Sequence, residues 1–411
     1  MNLIVSFCWG IIISNRFSTF YFRRCFYLTN RLKALKNYNI ESETYGLVPK
    51  DSNTLKLIKK ILGKKVIKLY EPFYEVEGIR YKYIYFDKNF LDVFSSRVLK
   101  RTNEIRSAEE IANKICSNNQ LKFDIIHAHR MYTPPSGLVT KLVSEKLNIP
   151  YVITCHGSDI NLAMPNNKEL YNNVLEQAGK VIFVSNALLN KAKLLGYSGT
   201  NAVVIPNGVD LEIFKPLDKE KIKRELGLSK KVVGFVGNLV FIKRADKLPE
   251  IFEYISSKKD GEFLVVGDGE LRENVEKEFQ KRNLKVKFVG RVSQDKVPYY
   301  MNAMDVMILP SRNEGFGAVI IEAQGCGIPV VGSSNGGIPE AIGDGGIVVE
   351  EGENFEKRFA EAVINFLENP IDSNYIREKA LEYSWENIVK KEVKVYEEVL
   401  KKTMLDKMFK E

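Results

Sequence analysis

Ten short runs rich in Val, Ile and Phe recur along the chain, most followed by a longer stretch of helical spacing. No other feature constrains the fold as strongly. The first four are LIVSF (3–7), FDIIHAH (123–129), PYVITCH (150–156) and KVIFVS (180–185). The other six are KVVGFVG (231–237), EFLVVG (262–267), VKFVG (286–290), DVMILPS (305–311), IPVVGSS (328–334) and GIVVE (346–350). A strand that is apolar along its whole length is covered on both faces, so these runs predict parallel sheets with helices on either side. At 411 residues the chain exceeds what one core serves, and two doubly wound α/β domains are expected. The seam falls at IPNGVDLEIFKPLD (205–218), where Pro and Asn-Gly break the pattern. The expected domains are 1–205 and 206–385, with 386–411 as a C-terminal helix returning toward the first.

Charge differs between the halves. Residues 1–205 carry 29 Lys/Arg against 16 Asp/Glu (+13), and residues 206–411 carry 32 against 36 (−4). A solvated lysine-rich surface would account for this. So would an anionic partner, such as a membrane surface or a phosphate-bearing acceptor. Nucleic acid is not expected, because the sequence contains no recognisable binding module. The five cysteines form no C-x-x-C pair, which argues against a disulfide framework or structural zinc and for a reducing compartment. MNLIVSFCWGIII reads as a first buried strand rather than a signal peptide or a spanning helix. These features place the chain in the cytoplasm, with peripheral contact at the inner face of an anionic membrane.

Ligands of open parallel sheets bind at the carboxyl ends of strands. Here those ends carry His156-Gly157, Asn207-Gly208, Gly237-Asn238, Gly267 to Gly269, Arg291, Pro310 to Gly317 and Gly332 to Gly337. Glycines at such positions permit close backbone approach to a phosphate-bearing ligand. One residue is out of place: Glu322 interrupts the apolar run A-V-I-I-E-A, eight positions after Glu314. A buried carboxylate needs a partner. Either the helix turns Glu322 outward or a polar group meets it.

Together these residues resemble the retaining glycosyltransferases of family 4, which have the GT-B fold of two facing Rossmann-like domains with a cleft between them. The most specific part is Glu314-Gly-Phe-Gly-x4-Glu322, followed by I-P-V-V and S-S-N-G-G-I-P-E. D-I-I-H-A-H (124–129), T-C-H-G-S-D (154–159), V-S-N-A (184–187), P-N-G-V-D (206–210) and G-N-L-V-F-I-K (237–243) support it. T-F-Y-F-R-R (19–24) looks most like the branch that builds cell-envelope polysaccharides of the teichuronic-acid type.

The resemblance implies a nucleotide-sugar donor, a glycan or lipid-linked acceptor, and transfer with retention as the cleft closes. It assigns Glu314 and His156 to the donor sugar, Glu322 to the ribose and Lys243 to the diphosphate. The implied donor-binding set is Asn238, Lys243, Arg244, Arg291, Val292, Gly315, Phe316, Gly317 and Glu322. The family often places an Arg where Asn238 stands, and Arg244 either substitutes for it or faces solvent. The family commonly has glycines after the first strand, where this chain reads I-I-I-S-N-R-F-S-T-F. No D-x-D occurs, and a fixed cation at Lys243 fits transfer with neither metal nor cofactor. His127 and His129 share a strand face and could pair on a metal, but with no third ligand in view packing is favoured. Two alternatives stay open: a nucleotide-sugar epimerase of the same architecture, and a non-catalytic sugar-nucleotide-binding subunit.

Overall fold

A computed structural model of the chain describes residues 4–9, 26–61, 73–76, 79–88, 104–117, 123–131 and 135–409. The chain divides into two compact units. The first comprises residues 1–184, 189–205 and 389–411, and the second residues 185–188 and 206–388.

The first unit is built on β1 (Ile4–Trp9), β2 (Ser42–Asp51), β3 (Phe73–Val76) and β4 (Ile79–Lys88), continuing with β5 (Ile125–His129), β6 (Tyr151–Cys155), β7 (Lys180–Phe183) and β8 (Ala202–Val204). Their order is β3-β4-β2-β1-β5-β6-β7-β8, parallel throughout except for β3 on β4. Every residue of β5 and β6 is buried, as strands covered on both faces require. The helix Glu104–Cys116 buries Ala108, Ile111, Ala112 and Ile115, an i, i+3, i+4, i+7 stripe. The strand order reverses direction between β1 and β5, and this switch point puts the residues after β5 where a ligand would sit.

The second unit holds β9 (Val232–Val236), β10 (Glu262–Val266), β11 (Val286–Gly290), β12 (Val306–Leu309), β13 (Val330–Ser333) and β14 (Gly346–Val349). All are parallel, in the order β11-β10-β9-β12-β13-β14, which is the 3-2-1-4-5-6 sequence of dinucleotide-binding sheets. The core under one face stacks Phe252 on Phe263 at 4.3 Å, with Phe279 beside Phe252 and Phe359 in the same cluster. The switch point lies between β9 and β12, so the loops after Val236 and Leu309 flank it.

Two doubly wound α/β domains are therefore present. The strands missed in sequence are β2, β3, β4 and β8. The reason is chemical: β2 (SETYGLVPKD) contains Gly46 and Pro49, and β4 (IRYKYIYFDK) alternates polar and aromatic residues, so neither reads as a continuous apolar run. The chain leaves the first unit after Ile205 and returns at Val389, part-way along the helix Trp385–Met408.

The helix Phe26–Lys36 packs into the first unit. Leu32 and Leu35 are fully buried, and so is Arg31, which is ion-paired inside the unit. Residues 19–24, Cys25 and the segment after the first strand lie outside the described residues.

Candidate active site

In the second unit the loop after β9 runs from Gly237 through a 3-10 turn, Phe241–Lys243, to Arg244 in the left-handed region. The loop after β12 lies against it because the two strands are paired. Arg312 ties the loops together. Its N–H donates to Ile242 O at 2.8 Å and its guanidinium to Phe241 O at 2.6 Å. It also forks onto Asp246 at 2.7 and 2.8 Å and stacks on the Phe241 ring at 3.9 Å. Burial works against the Asp246 carboxylate, but the Arg312 hydrogen bonds and charge hold its pKa below the ordinary value. With the loops fixed, Lys243 Nζ forms an ion pair with Glu314, whose carboxylate also accepts Ser311 Oγ at 3.0 Å.

The backbone around Glu314 is fixed as closely. Gly337 N–H donates to Glu314 O at 3.1 Å, and Ser185 Oγ donates to Gly315 O at 2.6 Å. A Cβ on Gly336 (φ +61°) would collide with the Glu314 carbonyl, and one on Gly337 with the Gly315 carbonyl. S-S-N-G-G thus needs its glycines to lie flat on N-E-G-F-G. Gly317 (φ +91°) turns the chain into the helix Ala318–Gly325, whose free N–H groups and positive dipole end lie at this loop. The Phe316 ring is buried against Tyr383, so its role is packing.

Glu322 is met from inside the unit. Gln294 Nε2 donates to its Oε1 at 2.6 Å, and burial pushes its pKa up to about 8, with the Gln294 bond pulling the other way. Gln294 stands four residues beyond β11, in the loop that carries Arg291 and Val292, so this loop reaches the helix although β11 is the edge strand. Arg291 and Asn238 are exposed. Arg244 does not face solvent. It is 7% exposed, donates to Glu351 Oε1 at 2.6 Å and stacks on Phe355 at 3.9 Å. As a second diphosphate cation it would first have to leave a carboxylate. Gly267 also differs from expectation: at φ +136° its Cβ would strike the Gly237 carbonyl, so it serves strand-end packing.

In the first unit His156 follows β6, on a turn closed by Asp159. The Asp159 carboxylate accepts the N–H groups of His156 (3.2 Å), Gly157 (2.8 Å) and Ile160 (3.2 Å). His156 Nε2 lies 3.1 Å from His129 Nδ1, and the His129 ring stacks on His127 at 4.3 Å. The two histidines of H-x-H do share a face. Both His127 nitrogens are engaged, Nδ1 by Arg31 and Tyr396 (2.7 Å each) and Nε2 by Thr154 (2.7 Å). That occupation leaves His127 no lone pair for a metal. Among the described residues no three His, Cys, Asp or Glu are placed to hold a metal ion.

Sequence reasoning gave no role to Gln294, Arg312 or Asp159. Only Asp159 left a signal, an Asp two residues after a strand-end Gly, where its carboxylate can close a turn.

The family model for glycosyl transferases group 1 matches residues 218–383, and that for glycosyltransferase family 4 matches residues 81–213. An uncharacterised glycosyltransferase of Methanocaldococcus jannaschii is 33% identical over 67% of this chain and 76% of its own length. TuaC of Bacillus subtilis, whose name assigns it to teichuronic acid biosynthesis as a putative glycosyltransferase, is 32% identical over 72% of each chain. Anabaena HepE, solved with UDP and glucose, superimposes with a TM-score of 0.67 at 18% identity, covering 95% of this chain and 98% of its own. With two parallel-sheet units, the E-x7-E pair at a switch point and relatives of this extent, the chain belongs to glycosyltransferase family 4.

Proposed function

We propose that the protein transfers a sugar from a nucleotide-sugar donor to an acceptor hydroxyl with retention, using Lys243 rather than a metal to meet the charge of the departing diphosphate. The observation that carries the reading is Lys243 held beside Glu314 at the switch point of the second unit, next to the start of the helix that bears Glu322. Departure of a nucleoside diphosphate builds negative charge on the bridging oxygen, and a preorganised cation and a helix N-terminus both stabilise it. Glu314 accepts hydroxyls of the sugar and Glu322 those of the ribose, which supplies the partners its partly buried carboxylate calls for. His156 is assigned to the donor sugar, as the family resemblance implies. The UDP and glucose in HepE support a nucleotide-sugar donor. The name of TuaC supports a cell-envelope polysaccharide or its lipid-linked precursor as acceptor.

For such an acceptor the enzyme works at an anionic membrane surface. No helix among the described residues is long and apolar enough to cross a membrane. Contact is assigned to the helix Asn53–Ile61 and the end of the C-terminal helix. In the first, Leu57 and Ile61 are exposed beside Lys56 and Lys60. In the second, Met404, Leu405, Met408 and Phe409 are exposed beside Lys401, Lys402 and Lys407. Apolar side chains among lysines suit peripheral binding.

Product analysis with a panel of labelled nucleotide-sugars tests the function. Label moving to an acceptor supports transfer. A donor epimerised without acceptor identifies an epimerase, and binding without turnover identifies a non-catalytic subunit.

A further inference from the structure

We infer that Arg31, His127 and His129, backed by Glu392 and Tyr396 of the C-terminal helix, are positioning residues that set the ring of His156 for the transfer reaction. The inference rests on the reading above, in which His156 attends the donor sugar.

The chain of contacts begins in the core of the first unit. Arg31 is 0% exposed, and its Nε donates to Glu392 Oε2 at 2.5 Å. Its Nη2 donates to His127 Nδ1 at 2.7 Å. A guanidinium has only donors, so His127 Nδ1 must carry a lone pair and Nε2 the proton, which is given to Thr154 Oγ1. The tautomer of His127 is thereby set by a cation 96 positions away in sequence. His127 in turn stacks on His129 with the rings inclined by 29°, and His129 Nδ1 meets His156 Nε2. Burial, then neighbouring positive charge including that of Arg31, holds both His127 and His129 well below the ordinary histidine pKa. Two neutral rings thus stand between the buried cation and His156, and the second can share one hydrogen bond with it without adding charge.

Stability alone does not call for this arrangement. A buried ion pair is commonly no better than well-packed apolar residues of the same volume, whereas it does fix geometry. The direction is also informative. His129 ends β5 at the switch point of its sheet, and the contacts behind it lead away from that end into the core.

The test uses the full-length protein. His129→Leu removes both nitrogens, His129→Asn restores a polar atom near the position of Nδ1, and Tyr396→Phe deletes one hydroxyl from the far end. The readouts are the imidazole nitrogen resonances of His156, and kcat and KM for the labelled nucleotide-sugar that the panel turns over. His129→Leu and Tyr396→Phe are expected to shift the His156 resonances and lower kcat by roughly 10- to 100-fold, with KM little changed. His129→Asn should recover part of the loss. In a His156→Ala background His129→Leu should add nothing. If His129→Leu does not fold, Tyr396→Phe carries the test. Transfer lost in His156→Ala but normal in folded His129→Leu or Tyr396→Phe overturns this inference alone. Normal transfer in His156→Ala overturns the role given to His156 itself. An equal loss on adding His129→Leu to His156→Ala would mean that His129 acts elsewhere.

Discussion

Replacing Glu322 by Gln should abolish a pH dependence that the structure puts into nucleotide binding. Burial raises this carboxyl from 4.5 to about 8. At pH 7 it is therefore about nine-tenths protonated, a ratio of roughly ten to one. A ribose presents hydroxyls that donate to a carboxylate, so binding favours the ionised form, and at pH 7 the proton must first be released. That release costs about 1.4 kcal/mol at pH 7 and almost nothing at pH 9. Affinity for the donor's nucleotide should thus tighten about tenfold between pH 7 and pH 9, and binding at pH 7 should release close to one proton. The same linkage acts on folding. A carboxyl whose folded pKa is raised favours the native state below pH 4.5, and that advantage is lost as pH rises to 8. Relative to wild type, Glu322→Gln should therefore gain stability above pH 8 and match it near pH 5. The gap from 4.5 to about 8 sets an upper limit of roughly 5 kcal/mol. Titration calorimetry in buffers of different ionisation enthalpy measures the proton, and unfolding at pH 5 and 9 measures the stability. A flat affinity profile in the wild type, or an equal slope in Glu322→Gln, would refute the reasoning.

Lys243→Ala should lower transfer by roughly 100- to 1,000-fold while the protein stays folded, because one preorganised stabilising group is lost; near-normal turnover would show that Lys243 does not hold the diphosphate. Transfer should survive exhaustive EDTA treatment, and a reversible requirement for magnesium or manganese would refute a protein-supplied cation. Sedimentation with vesicles containing anionic lipid should be observed at low salt, weaken as salt rises, and fall in Leu57→Asp/Ile61→Asp. Equal binding to neutral and anionic vesicles would remove the electrostatic part of that reading.

What the sequence disclosed, and what it hid, follows from the range of the interactions involved. The inner strands of the second unit were legible because burial on both faces makes β9 and β12 apolar throughout and β10 nearly so, whereas the edge strand β11 (VKFVG) carries an exposed Lys287. Glu322 was legible for the inverse reason, since a lone carboxylate in such a run must be met by something. What met it was not legible. Gln294 lies 28 positions away in a loop of ordinary composition, and only the sheet order brings it to the helix. Arg31 is the sharper case. It stands among Lys33, Lys36 and other basic residues, with nothing local to mark it as buried, and its partner Glu392 lies 361 residues further on. Local pattern reports how much of a side chain wants water. It does not report whether another part of the chain arrives with the opposite charge. Gly267 erred the other way, since a strand-end glycine satisfies both a ligand and a neighbouring loop, and only its φ and the nearby Gly237 carbonyl tell them apart. The His-x-His pair joins the two lessons. Period two put both rings on one face, while burial, with the buried cation behind them, keeps both well below the ordinary histidine pKa, and neither influence is written in the H-x-H pattern.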